Sequence, residues 1–281
     1  MAAQWRHQWL DDDDGSVNLE VAALAASAGQ FLLRAPEQCD FILEPVAGTI
    51  TVVPSAELAH NTLEHLLLDQ AIPRLLDGQE QLVLHASLVR VGAGCLAFVG
   101  RSGRGKSTLS AMLHQRGYPA LCDDCAVLDC LDNVVHATPS YPGFRLYSDS
   151  IDAALETQLE ACGPVSDYSD KQRIISVDLA PEMLAPCPVT AIYLLDTPAL
   201  AKTDVAIQPL TRAAACMSLI EHTFRLDPSD HARTARLLAQ ASTVAQAVPI
   251  FLLGHPHDFA RQQELIDAVL QHSERLPARS T

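Results

Sequence analysis

The chain has 281 residues, enough for one large domain or a main domain with a small appendage. Its formal net charge is −15, with 48% hydrophobic and 5% aromatic residues, a composition of globular α/β proteins and not of disordered or fibrous ones. That acidity, with no dense cluster of Lys and Arg, excludes the basic footprint of a nucleic-acid binder.

No apolar run approaches the roughly 20 residues that cross a bilayer. The start, Met1-Ala2-Ala3-Gln4-Trp5-Arg6, lacks the basic-then-apolar order of a signal peptide, and Asp11 to Asp14 follow. The expectation is a cytoplasmic protein with neither nucleic acid nor membrane as partner. A homo-oligomer is compatible with the sequence. In that compartment the eight cysteines are thiols and not a disulfide framework. Cys122, Cys125 and Cys130 lack the second pair that a zinc site wants, and read as small residues beside short strands. His60 and His65 are five apart, the wrong spacing for two ligands on one helical face.

In chain order, β-like runs at Gln30–Arg34, Asp40–Leu43 and Thr49–Val53 predict a small antiparallel sheet. From Ala56 to Leu76 apolar residues recur at helical spacing, interrupted by Pro73. These parts form a β-rich region plus helix over residues 1–80, ahead of a main domain over 81–281. Leu82–Val91 alternates like a strand, Gly92-Ala93-Gly94 signals a tight turn, and Cys95–Val99 is a short buried strand. A helix over Ser107–Arg116 closes at Gly117. Tyr118–Cys122 and Ala126–Cys130 are short strands, and Val134–Ala137 returns as a hairpin after Asp132-Asn133. From Pro139 to about Pro188 the chain reads as loop-rich and polar. Val189–Leu195 and Pro249–Leu253 are core strands; Thr211–Ile220, Ala232–Val248 and Phe259–His272 are helices. Strands alternating with helices give an α/β core, and the hairpin ahead of residue 100 makes its sheet mixed.

Gly100-Arg101-Ser102-Gly103-Arg104-Gly105-Lys106-Ser107 fits G-x-x-x-x-G-K-[ST] at every fixed position, between a predicted strand and a predicted helix. Glycines let consecutive amides point at a phosphate, and the helix adds its positive end. Gly100, Ser102, Gly103, Arg104, Gly105, Lys106, Ser107 and Thr108 are the candidate nucleotide contacts, Lys106 as the mobile charge on the β- and γ-phosphates. Ser107 is a candidate magnesium ligand. Asp123 and Asp124 follow the apolar run Ala120-Leu121-Cys122. Neighbouring side chains on a strand diverge, so one carboxylate can hold metal while the other faces an incoming hydroxyl. The cofactors expected are ATP and Mg2+. His85, taken alone, reads as a satisfied core histidine.

Four features together, the His85-Ala86 strand, the loop Gly100–Ser107, the helix end Arg116-Gly117-Tyr118 and Cys122-Asp123-Asp124, make residues 82–130 similar to the catalytic domain of HPr kinase/phosphorylase. The resemblance implies a P-loop kinase core with a mixed sheet, like the HPr kinase C-terminal domain and phosphoenolpyruvate carboxykinase. It makes Asp123 the general base toward an accepting serine, puts Asp124 and Ser107 in the magnesium environment, and sets His85 beside the phosphates and Asp123. The family's longer members carry a metal-binding glutamate after the aspartates. Here Tyr141-Pro142-Gly143-Phe144-Arg145-Leu146-Tyr147 has none, a variant that resembles stand-alone HPr kinase-like proteins, among them kinases of lasso-peptide precursors. In that variant Arg145 would stabilise transferred phosphate, and Lys171 and Arg173 would serve substrate or nucleotide. The function implied is an ATP-dependent kinase of a serine hydroxyl on a peptide or small protein, the lasso-type C-terminal serine being the most specific form. A metabolite kinase and an HPr-type regulatory serine kinase are the alternatives.

Overall fold

A computed structural model describes residues 3–10, 15–24, 29–141, 143–154, 161–174, 183, 185–195, 204–256 and 258–276. Asp11 to Asp14 and Pro142 lie outside the described residues. The chain divides into two compact units. The first comprises Met1–Val83, Pro164–Ser169 and Phe224–Leu238; the second comprises Leu84–Gly163, Asp170–Thr223 and Ala239–Thr281.

The first unit holds a five-stranded antiparallel meander: β1 (Ala3–Leu10), β2 (Val17–Leu24), β3 (Phe31–Ala35), β4 (Cys39–Glu44) and β5 (Thr49–Pro54). Period-2 alternation buries Phe31, Leu33 and Ala35 with Cys39, Phe41 and Leu43 on one face. Arg34 and Asp40 pair on the other through two hydrogen bonds of 2.8 Å. The expected three strands are present, and β1 and β2 add two that sequence pattern does not isolate.

The expected helix over Ala56–Leu76 is two helices, α1 (His60–Leu66) and α2 (Ile72–Gly78), joined by a π-turn at Leu67–Ala71. Pro73 has no N–H to give the carbonyl four residues back, and just before it the ladder widens so that Ile72 N donates to Leu67 O. Leu66, Ala71 and Leu75 cover the sheet.

The later elements, in chain order, are β6 (Leu82–Leu84), β7 (Ala86–Val91), β8 (Gly94–Val99), α3 (Lys106–Gln115), β9 (Ala120–Cys122), β10 (Ala126–Leu131) and β11 (Val134–Pro139). Then come β12 (Phe144–Leu146), α4 (Ser148–Ala154), β13 (Ala161–Ser166), β14 (Ser169–Ile174), β15 (Cys187–Leu194), β16 (Ala206–Pro209), α5 (Arg212–Glu221), α6 (His231–Ala247), β17 (Ile250–Gly254) and α7 (Gln262–Glu274). The run Leu82–Val91 is broken at His85, whose amide donates to His222 O at 2.9 Å.

The sheet of the second unit is mixed, as the leading hairpin implies. β7 is antiparallel to β8 and to β9, while β8, β15 and β17 run parallel as neighbours. At the start of β15, Cys187 and Pro188 pair instead with Ala137 and His136 of β11. Asp132 and Asn133, at φ 51° and 63°, make the primed turn that joins β10 to β11. Tyr193 stacks between Phe98 and Phe251 at 5.8 and 5.7 Å, and its hydroxyl lies 2.9 Å from His272 Nδ1. Leu109 and Leu113 of α3 and Ile266 and Val269 of α7 complete this core.

The loop-rich reading of Pro139–Pro188 is corrected. This stretch contains a three-stranded sheet in the order β12, β14, β13, together with α4. Arg145 pairs with Arg173 across β12 and β14. Ser169-Asp170-Lys171-Gln172-Arg173-Ile174 has no apolar alternation, so its strand is set by backbone pairing and not by pattern.

Candidate active site

The carboxyl ends of β8, β15 and β17 lie along one edge of the sheet and lead into Gly100, Leu195 and His255, the place where open α/β sheets bind ligands. Between β8 and α3 runs the glycine loop. At Gly100, φ is 152° and an added Cβ would sit 2.5 Å from Leu195 O, so only glycine fits. Gly105 takes φ 89° and turns the chain into α3, whose N-terminus no side chain caps. The first amides of that helix are therefore oriented to receive an anion. Lys106, 5% exposed, folds back so that Nζ donates to Gly100 O at 2.6 Å and Arg101 O at 3.2 Å.

β9 ends at Cys122 and delivers the two aspartates to opposite environments. Asp123 is 1% exposed. Its Oδ1 accepts from Ser87 Oγ at 2.8 Å, its Oδ2 accepts from Arg145 N at 3.0 Å, and the Ser107 side chain also hydrogen-bonds to it. Burial and the neighbouring Asp124 push its carboxyl up to about 6, against those three donors. Asp124 lies 3.2 Å from His85 Nε2 through Oδ1 and forms an ion pair with Arg145 Nη1 through Oδ2. Burial alone would raise it, but His85, Arg145 and Lys171 hold it well below the usual carboxylate range. Arg145 also bonds to the Tyr141 hydroxyl, so the guanidinium is fixed on both sides.

A cavity of about 350 Å³ opens over the loop. Ser102, Gly103, Gly105, Lys106, Ser107 and Thr108 line it, as do His85, Asp124 and Arg145. Of the expected contacts, Gly100 and Arg104 do not line it; Gly100 instead anchors the Lys106 ammonium. Asp123 sits behind the wall, and the partner of His85 is Asp124. Lys171 reaches the cavity on β14 with its ammonium 5.2 Å from the Tyr147 ring, while Arg173 does not line it.

Several residues of the site are not among the candidates named from the sequence. Ser87 is two residues from His85, a spacing that could have grouped them, and it is Ser87 that holds Asp123. Tyr147, Asp149 and Ser150 reach the cavity from one segment, and His255 and Gln262 from another far along the chain. No motif joins them.

The class that fold and site define is a mixed α/β protein with a strand, glycine loop and helix at the carboxyl edge of its sheet. No protein-family model matches the chain, and no curated protein does. Among solved structures it is similar to the Hpr(Ser) kinase/phosphatase from Coxiella burnetii, with a TM-score of 0.38 and 13% identity over 69% of this chain and 97% of that one. Among the described residues, no helix is long and apolar enough to cross a membrane.

Proposed function

We propose that the chain is an ATP-dependent kinase, with residues 81–281 as its kinase domain, that transfers the γ-phosphate to a serine hydroxyl of a peptide or small protein. The observation that carries the nucleotide part is the loop over Gly100–Ser107. Its lysine is held by two backbone carbonyls beneath a cavity that also receives Asp124 and Arg145. A chain of net charge −15 that gathers His85, Lys106, Arg145 and Lys171 around one cavity is suited to an anion there.

The residues fit magnesium, which takes one or two protein oxygens and otherwise phosphates and water. Asp124, ionised and lining the cavity, and the Ser107 hydroxyl would hold it. A magnesium ion bound there neutralises charge on the phosphates. Arg145, fixed by Asp124 and Tyr141, would stabilise the phosphoryl group in transfer. Asp123 would accept the serine proton, with His85 orienting Asp124. One observation favours the reverse division: the Asp123 oxygens are occupied by Ser87, Arg145 and Ser107, whereas Asp124 lines the cavity. In that case Asp124 would be the base, and Asp123 would orient the Ser107 hydroxyl.

The serine acceptor comes from the sequence resemblance, and its most specific form is the C-terminal serine of a lasso-peptide precursor. The test incubates the chain with ATP, magnesium and one of three acceptors: a peptide ending in serine, HPr, or a panel of hydroxylated metabolites. Mass spectrometry then looks for the gain of one phosphate. Gain on the peptide, lost when its terminal serine is removed, supports the lasso-type form. Transfer to HPr makes it a regulatory serine kinase, and transfer only to metabolites overturns the peptide acceptor.

A further inference from the structure

The cavity has two walls of opposite character. One carries donors: Lys106, Arg145 and Lys171, with the first amides of α3. The other is built by the chain after β17 and the start of α7, and contributes His255, Pro256, Asp258, Gln262 and Leu265. None of those residues is Lys or Arg, and the proton on the histidine is placed by its neighbour. His255 Nδ1 lies 3.1 Å from Pro256 O. A carbonyl only accepts, so Nδ1 carries the proton, and on a neutral ring Nε2 is then an acceptor. That Nε2 is 3.8 Å from where a Cβ on Gly105 would lie, so the ring edge borders the glycine loop.

Gln262 supplies the second, independent observation. Its Oε1 is shut off from solvent and finds no hydrogen-bond partner among the described residues. A buried polar atom without a partner costs about 1–3 kcal/mol, and natural proteins keep such atoms rarely and for a reason. Leu265, one helical turn on, gives this wall its apolar component.

An acceptor-bearing, partly apolar wall does not suit a phosphate, which brings only acceptors. It suits the other half of a nucleotide, with its ribose hydroxyls, amino group and planar base. We propose that His255 and Gln262 form the nucleoside subsite of this cavity, accepting hydrogen bonds from ribose hydroxyls or the base amino group, with the triphosphate laid across Gly105 and Lys106 toward Asp124. The inference rests on the nucleotide reading above and adds to it an orientation of the ligand and a basis for choosing a nucleoside triphosphate over a bare polyphosphate.

The experiment measures affinities by calorimetry for inorganic tripolyphosphate, ATP, 2′-deoxyATP and ITP, on wild type, Gln262→Leu and His255→Phe. Wild type is expected to bind ATP more tightly than tripolyphosphate, and to lose affinity for 2′-deoxyATP if ribose is read or for ITP if the amino group is read. Gln262→Leu, His255→Phe or both should weaken ATP roughly five- to tenfold, the worth of one hydrogen bond, and leave tripolyphosphate unchanged. Tripolyphosphate binding as tight as ATP overturns the subsite while sparing the phosphate loop, as does equal weakening of both ligands by both variants. Equal affinity of wild type for ATP, 2′-deoxyATP and ITP also overturns it. Binding of none of the four ligands by wild type overturns the nucleotide reading itself. Thermal melts of both variants accompany the titrations, and the ratio of ATP to tripolyphosphate affinity within each variant stays informative if one is less stable.

Discussion

A lysine that already donates to two carbonyls of its own loop is oriented before any anion arrives, so little side-chain freedom is lost on binding. Lys106→Ala should therefore remove the whole of a charge-assisted contact, about 1.5–3 kcal/mol, and calorimetry should record ATP binding at least tenfold weaker. Equal affinities would remove the loop from the site. The aspartates make a sharper pair. Asp123→Asn and Asp124→Asn keep the volume and remove the charge, and a general base is typically worth about 10² to 10⁴ in rate. If Asp123 is the base, its variant should bind ATP–magnesium normally and lose transfer, while the Asp124 variant should need more magnesium to reach half-maximal rate. The opposite assignment of these two phenotypes would make Asp124 the base, as its place on the cavity wall allows. Wild-type transfer by both variants would send the search for the base elsewhere.

At the scale of elements, the loop is shaped by its approach to β15. A Cβ at residue 100 would meet the Leu195 carbonyl at 2.5 Å, and that atom is backbone and cannot swing away. Gly100→Ala should lower stability by about 1–3 kcal/mol and weaken ATP binding as well, read by a denaturant midpoint and by calorimetry. An unchanged midpoint would mean that the loop relaxes without cost. The same elements explain what could be read in advance. Leu109, Met112 and Leu113 sit at helical spacing, Gly117 takes φ 86°, and Asp132-Asn133 is a primed turn, so α3 and the β10–β11 hairpin are local events written in local residues. β1 is largely exposed, with only His7 and Trp9 half-buried, and so carries little alternation. β14 is polar throughout until Ile174 and is held by pairing to β12. The glycine loop stands out in the sequence because its pattern lies in eight consecutive residues. Ser87, His255 and Gln262 do not, because they acquire meaning only when distant segments meet around Asp123 and the cavity.

For the whole molecule, net charge −15 and a pI near 5.0 imply strong mutual repulsion at neutral pH that vanishes on mild acidification. Light scattering should show a solubility minimum close to pH 5, and a flat profile from pH 4 to 8 would mean that charge does not govern its association. A different consequence follows from the strand order. β8, which launches the glycine loop, takes as its parallel neighbour β15, with Cys95 paired to Val189, and Gly100 packs on the carbonyl of Leu195. The loop's sequence is complete near residue 107, yet its mould is synthesised only some ninety residues later. On the ribosome, at about 5–20 residues per second, a nascent chain would carry a finished motif with an unfinished shape for several seconds. Closing so distant a pair is also slow by its nature, since chain entropy is lost before the contact repays it. Nucleotide binding should thus arise late in folding, after β15 has docked, and a nascent chain ending before residue 187 should hold the motif without the affinity.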